Sequence, residues 1–240
     1  MKITKYPQSN FLIEDQKKRI LIDPGYLTFE NYPEDDFGDL EAVLITHQHK
    51  DHLDIERVKN LVGSEIPLYT NNDVASLFES SNIEIAKVKQ GEEFEVAGFK
   101  IEPINIPHCK LLYCRKEGKT LAATDIVPGK KVCKSHPDLV PEEIAGPPNT
   151  GFVVNNIFFH PGDGIEIDGL KVANAAIPIT GPTINYDRAW KFAESLEAKR
   201  VIPMHYSNPR FPADPNEFIK HKLAGVEVIV LKDGAPTKIS

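Results

Sequence analysis

Cysteine is scarce in this chain of 240 residues: there are three, Cys109, Cys114 and Cys133. None stands in a Cys-x-x-Cys pair, and an odd number does not build a disulfide framework, so reduced thiols are expected. Long apolar runs are also missing. No stretch approaches the roughly 20 apolar residues that cross a bilayer, and Met1-Lys2-Ile3-Thr4-Lys5 leads straight into a strand pattern with no apolar leader core. A cytoplasmic protein with no membrane partner is the expectation. Basic side chains are outnumbered, 28 against 35 acidic ones, and the resulting net charge of −7 opposes nonspecific attraction to phosphate backbones. Nucleic acid is therefore not an expected partner. No internal repeat or low-complexity segment is evident.

What the chain has is an apolar share of 41%, enough to bury a core, at a length that one layered domain spanning residues 1–240 can fill. Its most informative stretch is Thr46-His47-Gln48-His49-Lys50-Asp51-His52, which packs three imidazoles and a carboxylate behind the apolar run Ala42-Val43-Leu44-Ile45. The run reads as a buried strand. Side chains two apart on an extended backbone project to the same side, so His47 and His49 can grip one ion. The helical apolar spacing from Asp54 to Val62 requires a turn in between, and that turn can swing Asp51 and His52 toward a second ion. Neutral imidazole and carboxylate are ligands that zinc and its borderline neighbours accept.

His-x-His-x-Asp-His resembles the signature of the metallo-β-lactamase-fold hydrolases, and the resemblance extends from about Lys2 to a closing strand near Val230. It implies an α/β fold of the αββα type, two packed sheets with helices on their outer faces. It also implies the remaining ligands. His108 follows the strand-like Phe99–Ile106 at the family's third-histidine position, with His136 as its rival. Asp163, in His160-Pro161-Gly162-Asp163-Gly164, matches the aspartate that bridges both metals, and His205 ends Arg200-Val201-Ile202-Pro203-Met204 as the family's last motif does. Asp23, in Leu21-Ile22-Asp23-Pro24-Gly25, matches an aspartate that organises without ligating. His160 stands either behind the metals, holding a ligand carboxylate, or as a satisfied core histidine.

The coarse pattern gives two strand-rich halves with helices. A hairpin is predicted from Phe11-Leu12-Ile13 and Arg19–Asp23 about the polar turn Glu14–Lys18. Helices are predicted after Asp54, after a cap at Asn72, over about Asn185–Ala198, and from Asp214-Pro215-Asn216. Residues 109–150 interrupt the regularity, where Pro128-Gly129, Pro137, Pro141 and Pro147-Pro148 break regular structure. Leu111–Cys114 and Thr120–Ile126 suggest a small hairpin there, lying over the metals as a lid. Lys110, Arg115, Lys116, Lys119, Lys130, Lys131 and Lys134 make this segment basic, which serves either solvation or the attraction of an anionic small molecule.

The resemblance implies a hydrolase holding two divalent ions, zinc by default, with manganese, iron or nickel compatible with the same donors. His47, His49 and His108 hold one ion and Asp51, His52 and His205 the other. Asp51 also orients the attacking hydroxide. Tyr206 stands where it can bind a developing oxyanion or simply pack. The expected substrate is a small molecule with an ester, lactone or phosphoester bond, anionic where the basic segment serves attraction and not solvation. The phrases Phe-Leu-Ile-Glu and Ile-Pro-Met-His-Tyr resemble hydrolases near the ascorbate-6-phosphate lactonase branch. Alternatives are a nuclease or phosphodiesterase on nucleic acid, and a non-catalytic binding descendant of the fold. In the diiron branch an acidic residue replaces the second histidine, whereas His49 is intact here.

Overall fold

The computed structural model describes residues 1–127, 130–209 and 211–240, so the expected break at Pro128-Gly129 lies outside the described residues. The chain begins with β1 (Lys2–Lys5), β2 (Phe11–Asp15) and β3 (Lys18–Ile22), paired antiparallel. The predicted hairpin closes on Gln16 and Lys17, with φ of 47° and 69°, a positive pair whose twist suits a two-residue connection. The chain then winds in parallel through β4 (Ala42–Ile45), β5 (Leu68–Thr70) and β6 (Ile85–Lys87). Helices α1 (Tyr26–Phe29), α2 (Ile55–Val62) and α3 (Asn72–Ser76) form the crossovers. Asp54 caps α2 by accepting from the Arg57 amide. The α3 cap is Asn71, which accepts from Val74 N; Asn72 is the first helical residue and not the cap.

The second half supplies β7 (Phe94–Val96) and β8 (Phe99–Asn105), then a separate three-stranded patch of β9 (Leu111–Cys114), β10 (Lys119–Thr120) and β11 (Glu142–Ile144). The hairpin expected here is shorter than its pattern: beyond Thr120 the chain leaves the sheet and makes a 3-10 turn at Ala123–Asp125. Next come β12 (Thr150–Val154), β13 (Phe158–His160), β14 (Asn174–Pro178), β15 (Arg200–Met204) and β16 (Glu227–Val228), with α4 (Tyr186–Ser195) and α5 (Pro215–Lys220) between the later strands. Finally β17 (Pro236–Lys238) returns to pair with β1. One seven-stranded sheet runs β17-β1-β2-β3-β4-β5-β6 and the other β16-β15-β14-β13-β12-β8-β7.

Strand alternation decides which layer each side chain enters. In β3 and β4, Ile20, Ile22, Ala42 and Leu44 point into the seam between the sheets, where they meet Phe152, Phe158, Ile202 and Met204 of the other sheet. Leu21, Val43 and Ile45 face outward onto Val58, Val62, Val74 and Phe78 of the first helical layer. Ala175, Ile177 and Val201 face Trp190, Phe192 and Ala193 on the opposite side. Four layers result, helix, sheet, sheet, helix, because each strand carries two apolar faces and a sheet so made must be covered twice. No helix among the described residues is long and apolar enough to cross a membrane.

Candidate metal centre

The loops that follow β3, β4, β8, β13 and β15 leave their sheets along one rim, the carboxyl ends of strands where α/β folds commonly gather their reactive groups. They bring together two sets of donors. His47 Nε2, His49 Nδ1, His108 Nε2 and an oxygen of Asp163 form the first, and Asp51, His52 and His205 the second. In the first, His49 Nδ1 lies 3.2 Å from both His47 Nε2 and His108 Nε2, and Asp163 Oδ2 is 3.4 Å from His108 and 3.9 Å from His47. In the second, Asp163 Oδ1 is 3.0 Å from His52 Nε2 and 3.3 Å from His205 Nε2, which is also 3.3 Å from Asp51 Oδ2. Donors about 2.0–2.1 Å from a tetrahedral ion sit roughly 3.3 Å from one another. Both sets have that size, and the two oxygens of Asp163 divide between them.

The histidines face inward in a defined protonation. His108 Nδ1–H donates to Cys109 O at 2.6 Å and His205 Nδ1–H to Thr180 O at 2.8 Å; a carbonyl only accepts, so Nδ1 carries a proton and Nε2 is turned to the cavity. Asp23 accepts from Thr46 N, from Thr46 Oγ1 and from His52 Nδ1, at 2.8, 2.7 and 2.7 Å. The Thr46 hydroxyl, its proton used on Asp23, accepts from His47 Nδ1 at 3.0 Å. These outer bonds fix ring orientation and raise ligand basicity. They also leave His52 Nε2, His205 Nε2 and Asp163 Oδ1 buried and without a hydrogen-bond partner. With both imidazole nitrogens within 3.3 Å of that carboxylate oxygen, these are atoms that a bound cation would satisfy, and the set fits a divalent metal.

Without a cation, protons must compensate the carboxylates. Burial opposes charge on His205, but the Asp163 carboxylate outweighs it and raises the pKa to about 10. His52 is likewise raised against its burial, by Asp163 and Asp23. His47 and His49 go the other way: burial and neighbouring imidazoles lower both, His49 to about 4.

The structure brings His47, His49, Asp51, His52, His108, Asp163 and His205 to one place and puts Asp23 behind them, as the sequence pattern suggests. The rival His136 lies elsewhere, beside Cys114 and Cys133. His160 does not hold a ligand carboxylate: it donates Nε2–H to Ser9 O at 2.7 Å and accepts the Gly162 amide at 3.2 Å, bracing the turn before Asp163. Tyr206 is a correction. The backbone enters the left-handed region at His205 (φ 65°), and the next ring lies under Lys5 Nζ, 4.6 Å from its centroid, outside the cavity lining among the described residues. Burial raises its pKa to about 12, which suits packing.

Sequence reasoning missed two buried amides. Asn149 donates to Ile106 O and Pro161 O and accepts from Asp163 N, tying the third-histidine loop to the bridging aspartate. Gln8 reaches Asp51 from the loop after β1. Neither belongs to a local pattern; each sits in a polar loop and acts on residues far away in sequence. The cavity over the donors has a volume of about 600 Å³. Tyr26, Leu111, Leu121, Pro182 and Phe211 contribute to its walls, and Lys50 is the one basic side chain other than histidine among its described lining residues. None of the seven basic residues of the 109–150 segment lines it. Arg115 pairs with Glu142, Lys110 with Glu143, and Lys119 with Glu117 and Asp125.

A family model described as a beta-lactamase superfamily domain matches residues 2–205. The chain is 28% identical over 250 residues to a UPF0173 metal-dependent hydrolase of Methanocaldococcus jannaschii, covering 99% of this chain and 100% of that one. It is also 28% identical over 246 residues to a UPF0173 metal-dependent hydrolase of Oenococcus oeni, covering 95% and 96%. Among solved structures, the metallo hydrolase Igni18 of Ignicoccus hospitalis superposes with a TM-score of 0.68 at 21% identity, over 98% of this chain and 97% of that one. The isothiocyanate hydrolase from Delia radicum gut bacteria gives 0.65 at 16%, over 100% and 99%. These two likenesses concern the fold.

Proposed function

This chain belongs to the beta-lactamase superfamily, and from that premise we propose that it is a metal-dependent hydrolase of small molecules whose centre takes two divalent cations, zinc by default. The observation that carries the reading is the division of Asp163, with Oδ2 among His47, His49 and His108 and Oδ1 against His52 and His205. Cations held there would polarise a substrate oxygen and lower the pKa of water to roughly 7.

The chain's own residues do the remainder. Asp51, held by Gln8 and open to the cavity, orients the attacking water and takes up its proton. Lys50 lines the same cavity and offers a positive charge to an anionic substrate group. Leu111, Thr120, Leu121 and Ala122 roof the donors on one side, so the 109–150 segment serves as a cover that excludes bulk solvent and selects the substrate. A space of about 600 Å³ suits a small molecule, since ligand pockets run roughly 300–1,000 Å³. Net charge and cavity together favour a small ester, lactone or phosphoester over a nucleic acid.

Metal analysis of the purified protein, followed by a screen of lactones, phosphodiesters, acyl esters and β-lactams, tests this. Asp163→Ala is expected to lose metal and activity together, and Asp51→Ala to lose hydrolysis with its fold intact. Full metal content in the first, or hydrolysis surviving in the second, would refute the assignment.

A further inference from the structure

A second group of metal-type donors lies away from the centre, within the 109–150 segment. Cys114 ends β9, Glu117 is in the turn that follows, and Cys133 and His136 lie on the loop beyond the 3-10 turn, where Cys133 bridges to both Ile126 and His136. Their order is Cys-x-x-Glu followed by Cys-x-x-His, two short pairs from separate loops, which is how structural zinc sites gather their ligands. The thiols of Cys114 and Cys133 lie 3.8 and 4.0 Å from His136 Nδ1, and Glu117 Oε1 is 3.5 Å from both Cys133 Sγ and His136 Nδ1. With bonds of about 2.3 Å to sulfur and about 2.0–2.1 Å to nitrogen or oxygen, tetrahedral neighbours stand roughly 3.3–3.8 Å apart. Cys114, Cys133 and His136 lie within 4.8 Å of one another before any ion is added, and Glu117 Oε1 stands against two of the three.

We propose that Cys114, Glu117, Cys133 and His136 bind one zinc ion as a closed, structural site, separate from the hydrolytic centre. Both thiols are buried, and Glu117 gives Oε1 to the group while Oε2 pairs with Lys119 at 3.1 Å. On binding, each thiol forms a sulfur–zinc bond and gives its proton to solvent; two thiolates and one carboxylate exceed the charge of the ion by one, and Lys119 offsets it. The local need is plain. The core of this lobe holds Leu112, Leu121 and Ile126 beside the two cysteines, with Phe211 against it, too little to fix three short strands. Because Leu111, Thr120, Leu121 and Ala122 of the same lobe wall the cavity, an ion at its far side would set the shape of the substrate space. This proposal does not depend on the hydrolase reading.

Cobalt(II) substitution distinguishes the two sites, because the hydrolytic donors include no sulfur. The wild-type protein loaded with cobalt(II) is expected to show a thiolate-to-cobalt charge-transfer band with the intense visible bands of tetrahedral coordination. Cys133→Ser should lose the charge-transfer band and one equivalent of zinc by elemental analysis, whereas Cys109→Ser should keep both. Should Cys133→Ser fail to fold, the wild-type spectrum is joined by a thiol count: zinc is expected to protect Cys114 and Cys133 from alkylation and leave them open after chelation. Absence of the charge-transfer band at saturating cobalt, alkylation unaffected by zinc, or a Cys114–Cys133 disulfide in freshly purified protein would each overturn it.

Discussion

Gln8 donates its side-chain Nε2–H to Asp51 Oδ2 at 3.0 Å, and the same residue accepts His205 N on its main-chain carbonyl at 2.9 Å. Its Oε1 accepts the amides of Ser207 and Asn208. One residue from the start of the fold thus aims two donors of the second set, Asp51 through its side chain and His205 through its main chain. Gln8→Ala is expected to weaken the ion nearest Asp51 about 10- to 100-fold, as loss of a supporting bond to a ligand does. Leaving the two amides unpaired would cost about 1–3 kcal/mol more. Competitive chelator titration and thermal melting measure the two effects, and affinity unchanged from wild type would remove Gln8 from the site.

Gly162 has φ 61°, and a Cβ built there would meet Asn149 Oδ1 at 2.2 Å and Thr46 at 2.8 Å. Gly162→Ala should therefore push Asn149 off the turn that presents Asp163 and lose metal. The backbone strain alone would destabilise the protein by about 1 kcal/mol or more. A variant with wild-type melting temperature and metal content would show that the turn relaxes freely.

Metal uptake should release protons with a predictable sign. In the metal-free protein His52 and His205 carry raised pKa values, His205 to about 10, so both hold a proton at neutral pH on the Nε2 that a metal needs. His47 and His49, lowered, are already neutral and release none. Affinity should then rise with pH up to about 10 and fall as acid is added. About two protons should leave per chain at pH 7. Calorimetric titration in buffers of different ionisation enthalpy counts them; zero release would contradict the protonation described.

Stripping the metal should lower the melting temperature without dispersing the core. Without the ion, only protons on His52 Nε2 and His205 Nε2, 3.0 and 3.3 Å from Asp163 Oδ1, hold these three buried atoms together. At a free metal concentration 100 times Kd, the lost linkage is about 2.7 kcal/mol per ion. Scanning calorimetry with and without chelator measures it, and an unmoved transition would mean that the cavity does not bind metal.

Much of this was legible from residue order. Apolar runs in Arg19–Asp23 and Ala42–Ile45 announce strands, Asp54 announces its helix, and His47, His49, Asp51 and His52 declare themselves by spacing. What was hidden depends on distant pairing. β17 joins β1 across the whole chain and is too short and polar to show a period. β11, Glu-Glu-Ile, becomes a strand by pairing with β9. Asn71 displaced Asn72 as cap because neighbouring asparagines are equivalent until the backbone chooses. Gln8 and Asn149 are unremarkable amides in sequence, and their importance arises where loops meet. Whether the basic run at 110–134 serves solvation or attracts an anion stayed open in sequence because Glu142 and Glu143, which neutralise part of it, follow later in the chain.

His47, His49, Asp51 and His52 stem from the loop after β4, whereas His108, Asp163 and His205 stem from strands of the facing sheet. Each donor set therefore straddles the junction of the two halves, and an occupied centre acts as a rivet through it. Prising the halves apart must first discharge the ions, so their escape and the slowest amide exchange in β4 and β15 should share one rate.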